Sequence, residues 1–245
     1  MKVIVNGAAG HMGREVLGVC ERMPGVELAA AVDAYSKDFE VLTSIEEYDR
    51  DADVIIDFSH HSNIKALADY ATKRNLPIVV ATTGYDESEL AVIDELAKSV
   101  PVFFSANMSL GIAVMADAVK RVVSFFPEAD VEIIEKHHNR KLDAPSGTAL
   151  ILADAVKSVR EDSEYVYGRG GHKKREKAEI GIHAVRAGNI VGEHEVIIAT
   201  DSQIISLKHE AQSRSLFAEG AVRAAEFLVN QKPGLYNMND LISGR

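Results

Sequence analysis

The 245-residue chain has one cysteine, few basic residues relative to acidic ones and no long apolar run. A lone thiol, Cys20, cannot close an intrachain disulfide. The fold must therefore stand on its core, which suits a reducing compartment. Its place in the first apolar helical stretch marks Cys20 as a core residue. The 27 Lys and Arg against 37 Asp and Glu leave a net charge of −10, which argues against general nucleic-acid or membrane-surface binding and leaves anions to local basic clusters. No stretch approaches the length of a membrane span and no charged-then-apolar leader precedes Lys2, so a cytoplasmic protein with neither nucleic acid nor membrane as partner is expected. There is no internal repeat and no low-complexity tract. At this length the chain can bury a substantial core, as one large domain or two modest ones.

What is present begins at the N-terminus. Lys2-Val3-Ile4-Val5-Asn6 reads as a β-branched strand, and Gly7-Ala8-Ala9-Gly10-His11-Met12-Gly13 turns it into a helical pattern over 14–20. In a strand, Gly-x-x-Gly-x-x-Gly and helix unit, the first glycine permits the tight turn, the second lets backbone approach a pyrophosphate and the third lets helix and strand pack closely. A second strand ends in Asp33, twenty residues after Gly13, where a carboxylate would accept hydrogen bonds from an adenine-side ribose. The rival reading is a nucleotide-free βαβ unit with an exposed Asp33.

Through the first hundred residues, apolar strands (3–6, 28–33, 54–58, 78–82 and 102–105) alternate with helices such as 63–74 and 87–98, the pattern of a parallel sheet covered on both faces. Small polar residues at the strand exits, 57–59, 81–84 and 105–108, would line the carboxyl edge of that sheet, where ligands bind in open α/β folds. The rhythm then changes. A helix over 110–125 leads to a strand over 131–136, then a helix over 146–160 and a polar, basic stretch at 168–177 that reads as a surface loop or as a cover for an anionic ligand. Strands 180–186, 195–200 and 203–209 follow without intervening helices, which marks a separate sheet. A last helix over 215–230 could return to cover the first domain. The expected architecture is α/β: a Rossmann-type doubly wound parallel sheet from residues 1–106 with 215–245, plus an α+β substrate-binding and oligomerisation domain at 107–214.

The densest chemistry lies in His137-His138-Asn139-Arg140-Lys141-Leu142-Asp143-Ala144-Pro145-Ser146-Gly147-Thr148. Two imidazoles, a guanidinium and an ammonium within five positions would repel one another if all were charged, so an anion belongs among them. The helix start that follows favours a carboxylate or phosphate. Together they read as an anion pocket with a proton donor in it. A solvated strand exit and an ordinary N-capped helix would carry some of the same residues.

With these motifs in hand, the chain resembles, nearly end to end, the 4-hydroxy-tetrahydrodipicolinate reductase family, formerly called dihydrodipicolinate reductase, of bacterial lysine and diaminopimelate synthesis. The resemblance is most specific over 135–149, which looks like the family's substrate signature, and a second block spans 180–194. It implies that His137 is the general acid/base, that Lys141 is proton donor and substrate anchor, and that His138, Ser146, Gly147 and Thr148 contact a small dicarboxylate. The cofactor would lie on Gly7, Ala8, Ala9, Gly10, His11 and Met12 with Asp33 on the ribose. Ala81, Thr82, Thr83, Ser105, Ala106, Asn107 and Met108 would then lie near the nicotinamide half. A homotetramer assembled by the second domain is also implied.

Two departures stand out. The stretch 169–175 is more compressed and more basic than is common in the family, so its residues are left unassigned. Asp33 is followed by Ala34 rather than an arginine that could hold a 2′-phosphate, which favours NADH, with NADPH possible and Lys37 a partial substitute. The alternatives are a nucleotide-sensing Rossmann regulator, or an NAD-dependent dehydrogenase of another imino or amino dicarboxylate. His137, His138 and His172 lack metal-ligand spacing, so no metal is expected. His60, His61 and His183 receive no role.

Overall fold

In the computed structural model, which describes residues 1–244, the chain divides into two compact units, residues 1–110 with the segment from Arg214 onward, and residues 111–213. Arg245, the last residue of the expected 215–245 segment, lies outside the described residues. No described helix is long and apolar enough to cross a membrane.

The first unit is a parallel sheet of β1 (Lys2–Asn6), β2 (Glu27–Val32), β3 (Val54–Asp57), β4 (Ile78–Val80), β5 (Pro101–Phe104) and β11 (Gly234–Tyr236), in the order β11-β5-β4-β3-β1-β2. The central strands β1, β3 and β4 are short, β-branched and buried on both faces, as a parallel sheet requires. Alternation sorts their side chains. Ile4, Ile55, Ile78 and Val80 share a core with Ile64 and Leu67 of α2 (Ile64–Arg74) and Ile93 and Leu96 of α3 (Glu87–Leu96). The helices α1 (His11–Arg22) and α6 (Ser215–Leu228) pack against each other, with α6 also against β3, β4 and β5. Burying each such Ile or Leu contributes about 1.5–3 kcal/mol. Cys20 sits in α1, buried, and burial pushes its thiol up to about 11. Because β1 lies between β2 and β3, the strand order reverses there, and the carboxyl ends of β1 and β3 frame a switch-point crevice.

The second unit is a mixed sheet of β6 (Asp130–His137), β7 (Glu164–Tyr167), β8 (Glu179–Arg186), β9 (Gly192–Ala199) and β10 (Ile204–Ala211), in the order β10-β9-β6-β8-β7. Val131, Ile133, Ile180, Val196 and Ile198 face a core shared with α4 (Leu110–Phe125) and α5 (Gly147–Lys157). The burial of β6 alternates strictly, so Glu135 and His137 point the same way as Val131 and Ile133. The helix expected to run to Arg160 stops at Lys157, where the Arg160 side chain turns to bond the Ala129 carbonyl and the Ser163 hydroxyl. The strands β7 and β11 and the short helix α7 (Met238–Ser243) have no counterpart in the sequence reading.

Candidate active site

In the first unit the glycines answer to local sterics. Gly7 sits at φ +81°, and a Cβ there would fall 2.5 Å from the Phe58 carbonyl oxygen at the end of β3. Any side chain at Gly13 would overlap the Gly7 carbonyl oxygen, so the start of α1 can lie on the loop only because Gly13 is bare. Gly10 occupies the N-cap of α1 and makes no side-chain cap, which leaves the start of a twelve-residue helix to an anionic group. Asp33 closes the arrangement: its carboxylate accepts the Ala9 amide at 3.0 Å and the Tyr35 amide at 2.9 Å. A cavity of about 310 Å³ opens here, lined by Asn6, Gly7, Gly10, Asp33, Ser59 and Asn63 among others. A shallower recess beside it is lined by Arg14, Asp33, Ser36, Lys37 and Asp38. A backbone cradle that any Cβ would fill, a helix start and a carboxylate on the cavity wall fit a dinucleotide.

Not every residue expected near the cofactor presents a side chain. Ala8 and Ala81 are buried, and the Thr82 hydroxyl is committed to Asp57 at 2.8 Å. Asp57 has no exposed surface and also accepts the Asn6 side-chain amide at 2.7 Å, so it ties together the exits of β1, β3 and β4. Burial raises its proton affinity against those hydrogen bonds. The Ser105 hydroxyl donates to the Asn107 carbonyl, the Asn107 side chain accepts the Ser109 amide, and Met108 is buried with its carbonyl against Gly220 of α6. His11, Thr83 and Ala106 are exposed, and Ala9 and Met12 half-exposed.

In the second unit β6 delivers the basic cluster. His137 is buried, with Nδ1 2.6 Å from Oε2 of Glu135, two residues earlier on the same strand face. Glu135, with no exposed surface, accepts both Nη1 and Nη2 of Arg186 at 2.7 Å and the Ser146 amide at 2.9 Å. Burial alone would raise its pKa, but the bonds from Arg186, His137 and Ser146 outweigh it and hold the carboxyl below its usual range. The Ser146 hydroxyl caps α5 by accepting the Ala149 amide and lies 3.0 Å from Nε2 of His194. The His194 ring stands edge-on to that of His137, centroids 5.1 Å apart. Burial, and then the charge of His137, push His194 down to about 4. A Cβ at Gly192 would come 3.0 Å from Nε2 of His137. Lys141 is mostly covered and pairs with Asp143 at 2.8 Å, while Gly147 and Thr148 open α5. His137, Lys141, Ser146, Gly147 and Thr148 are thus set around one strand end and one helix start, with His138 following His137. Among the described residues no three His, Cys, Asp or Glu side chains converge on a metal-sized site.

Three residues of this network had received no role: Glu135, Arg186 and His194. All lie inside the two family-like blocks, and the available signal was period: Glu135 and His137 share a strand face. The basic loop also proves to be engaged at home. Arg169 pairs with Glu132 and Glu179, and Arg175 with Asp130 and Glu132, while His183 of β8 also meets Glu132.

Comparison with known proteins agrees along the whole chain. Residues 1–108 match the family described as dihydrodipicolinate reductase, N-terminus, and residues 111–242 its C-terminus. The 4-hydroxy-tetrahydrodipicolinate reductase of Caldanaerobacter subterraneus subsp. tengcongensis is 49% identical over 99% of this chain and 98% of its own. That of Clostridium novyi is 46% identical over 100% and 99%. Among solved structures, the dipicolinate-bound dihydrodipicolinate reductase of a Paenisporosarcina species is similar with a TM-score of 0.82, at 25% identity and 98% coverage of both chains.

Proposed function

This chain belongs to the dihydrodipicolinate reductase family over both of its halves, and on that premise we propose how its residues divide the work. The protein reduces 4-hydroxy-tetrahydrodipicolinate, by way of dihydrodipicolinate, to tetrahydrodipicolinate with NAD(P)H, a step of lysine and diaminopimelate synthesis. The nucleotide, when bound, supplies hydride to ring carbon 4 of the substrate. The chain must do the rest: hold two carboxylates, orient the ring and deliver a proton to the carbon next to the one reduced.

Lys141, His138 and the start of α5 at Ser146, Gly147 and Thr148 supply the counter-charge for the dicarboxylate. The Paenisporosarcina relative, whose structure holds the planar dicarboxylate dipicolinate, supports a small dicarboxylate as the ligand. His137 is the general acid, with Lys141 sharing in proton delivery. Its Nδ1 is engaged by Glu135, which leaves Nε2 as the nitrogen that gives the proton, and an imidazole is suited to that task near neutrality. The observation that carries the reading is this buried imidazole, held at Nδ1 by Glu135, on the strand that leads into Lys141 and the start of α5. Residues 107–214 are assigned to substrate binding and to assembly of a homotetramer, and residues 1–106 with 215–245 to the dinucleotide, held on Gly7 to Met12 and Asp33 with Ala81, Thr82, Thr83, Ser105, Ala106, Asn107 and Met108 near its nicotinamide half.

NADH is the preferred donor. A 2′-phosphate would meet the Asp33 carboxylate, and Ala34 offers no guanidinium. Arg14 and Lys37 in the adjoining recess soften the discrimination enough for NADPH to serve. One assay tests both statements: the protein is mixed with the condensation product of pyruvate and aspartate semialdehyde, and the absorbance of NADH or NADPH is followed. Consumption of both is expected, with kcat/KM higher for NADH by about tenfold, the effect of about 1.4 kcal/mol. No consumption of either would overturn the activity, and equal efficiencies would overturn the preference.

A further inference from the structure

We propose that Glu135, balanced by Arg186, is a positioning residue that selects the nitrogen of His137 offered to the substrate and, with Arg186, fixes the charge that faces the imidazole. The inference rests on the reading of His137 as proton donor and names the machinery behind it.

Glu135 has no exposed surface. A buried carboxylate is costly unless its oxygens are filled and its charge is met. Both conditions hold: Arg186 approaches fork to fork, Nη1 on Oε2 and Nη2 on Oε1, the Ser146 amide takes a second position on Oε1 and His137 Nδ1 a second on Oε2. An ionised carboxylate only accepts, so the nitrogen facing it must carry hydrogen. Neutral His137 is therefore held as the Nδ1–H tautomer, with Nε2 left to exchange the proton. On the Nε2 side stands Gly192, where a Cβ would come within 3.0 Å; the absence of a side chain keeps that nitrogen uncrowded.

The pairing is a product of the fold. Residues 135 and 137 share a face of β6 by the two-residue period, and the parallel register sets His137 opposite Arg186 on β8. Arg186 also donates to the Asp143 carbonyl at 2.6 Å, which links the pair to the loop carrying Lys141. The remaining titratable groups around His137 are few. His194 on β9, edge-on to it, is held neutral at working pH, since burial and the neighbouring imidazole lower its pKa to about 4. His209 on β10 lies opposite His194 in register, and Lys141 is balanced by Asp143. The charge nearest His137 is therefore the Glu135 and Arg186 pair, whose members act on it in opposite directions. Glu135 stabilises the imidazolium, and Arg186 moderates that effect.

Two variants of the full-length protein separate positioning from mere support. In Glu135→Gln, Arg186 is left uncompensated beside the imidazole, so the alkaline fall of the kcat/KM profile moves to lower pH. In Arg186→Met, Glu135 acts alone and the fall moves to higher pH. An opposite charge at this range is worth about 1–3 pH units, and opposite shifts of that size are expected, with the KM for NADH unchanged. A purely structural role would lower activity in both without moving either limb, and that result would overturn the proposal. Imidazole ¹⁵N shifts of His137 in wild-type protein without substrate give a second readout that needs neither variant to fold. Nδ1–H is expected, and Nε2–H would overturn the proposal. If the nitrogen shifts and the pH limbs agree while a His137 variant keeps full turnover, the positioning stands and the reading of His137 as proton donor fails.

Discussion

His194 is almost wholly buried, with Nε2 3.0 Å from the Ser146 hydroxyl and its ring edge-on to His137. Burial first, then the charge of His137, lower its pKa from 6.5 to about 4. In the unfolded chain the same imidazole takes its proton near 6.5. Between these values the unfolded state binds more protons, so stability contributed by the neutral ring is complete above about pH 6.5 and is lost as pH falls toward 4. At about 1.4 kcal/mol per pH unit the loss is of order 3 kcal/mol. Glu135, held below the usual carboxylate range, works in a separate and lower window: its contribution is intact above the ordinary carboxyl pKa and is lost only below it. Urea midpoints measured from pH 7 to pH 4.5 should therefore fall steeply in the wild type and much less in His194→Asn. An unchanged slope in the variant would show that this ring does not carry the acid sensitivity.

At the scale of elements, the loop between β1 and α1 and the strand end of β6 show what a sequence discloses. The glycine loop is legible because its demands are local. Gly7 needs a positive φ, and Gly13 must be bare so that α1 can rest on the Gly7 carbonyl. Gly13→Ala should push α1 off the loop. Destabilisation of about 1–3 kcal/mol is expected from such overpacking, with NADH affinity falling at least about tenfold in a fluorescence titration. An unaltered Kd would refute the steric argument. The His137 to Thr148 string is legible for the same local reason. What it does not disclose is the partner of Glu135, because Arg186 is 51 residues away and is delivered by the pairing of β6 with β8. The loop at 168–177 is undecided in sequence for the same reason: Arg169 and Arg175 look available for an anion until Glu132, Asp130 and Glu179 are seen to pair with them. The strands β7 (Glu-Tyr-Val-Tyr) and β11 (Gly-Leu-Tyr) escape detection because they lack the buried, β-branched run that marks the equally short β3 and β4. They exist through pairing with β8 and β5.

At the scale of the whole molecule, the chain builds five strands of the first sheet, leaves to make the second unit, and returns as α6 and β11 to complete the first. The return is as specific as the outward path: Gly220 of α6 lies against the Met108 carbonyl, where no side chain would fit. The glycine cradle proposed for the dinucleotide and the network proposed to deliver the proton are thus built in separate units, each with its own core. That separation makes the central claim open to a clean test. Substituting His137 by Gln removes the proposed proton donor while leaving every residue of the glycine cradle in place. In an assay with NADH and the condensation product of pyruvate and aspartate semialdehyde, kcat for His137→Gln should fall by about 10²–10⁴-fold with the Kd for NADH unchanged. Turnover close to that of the wild type would contradict the account.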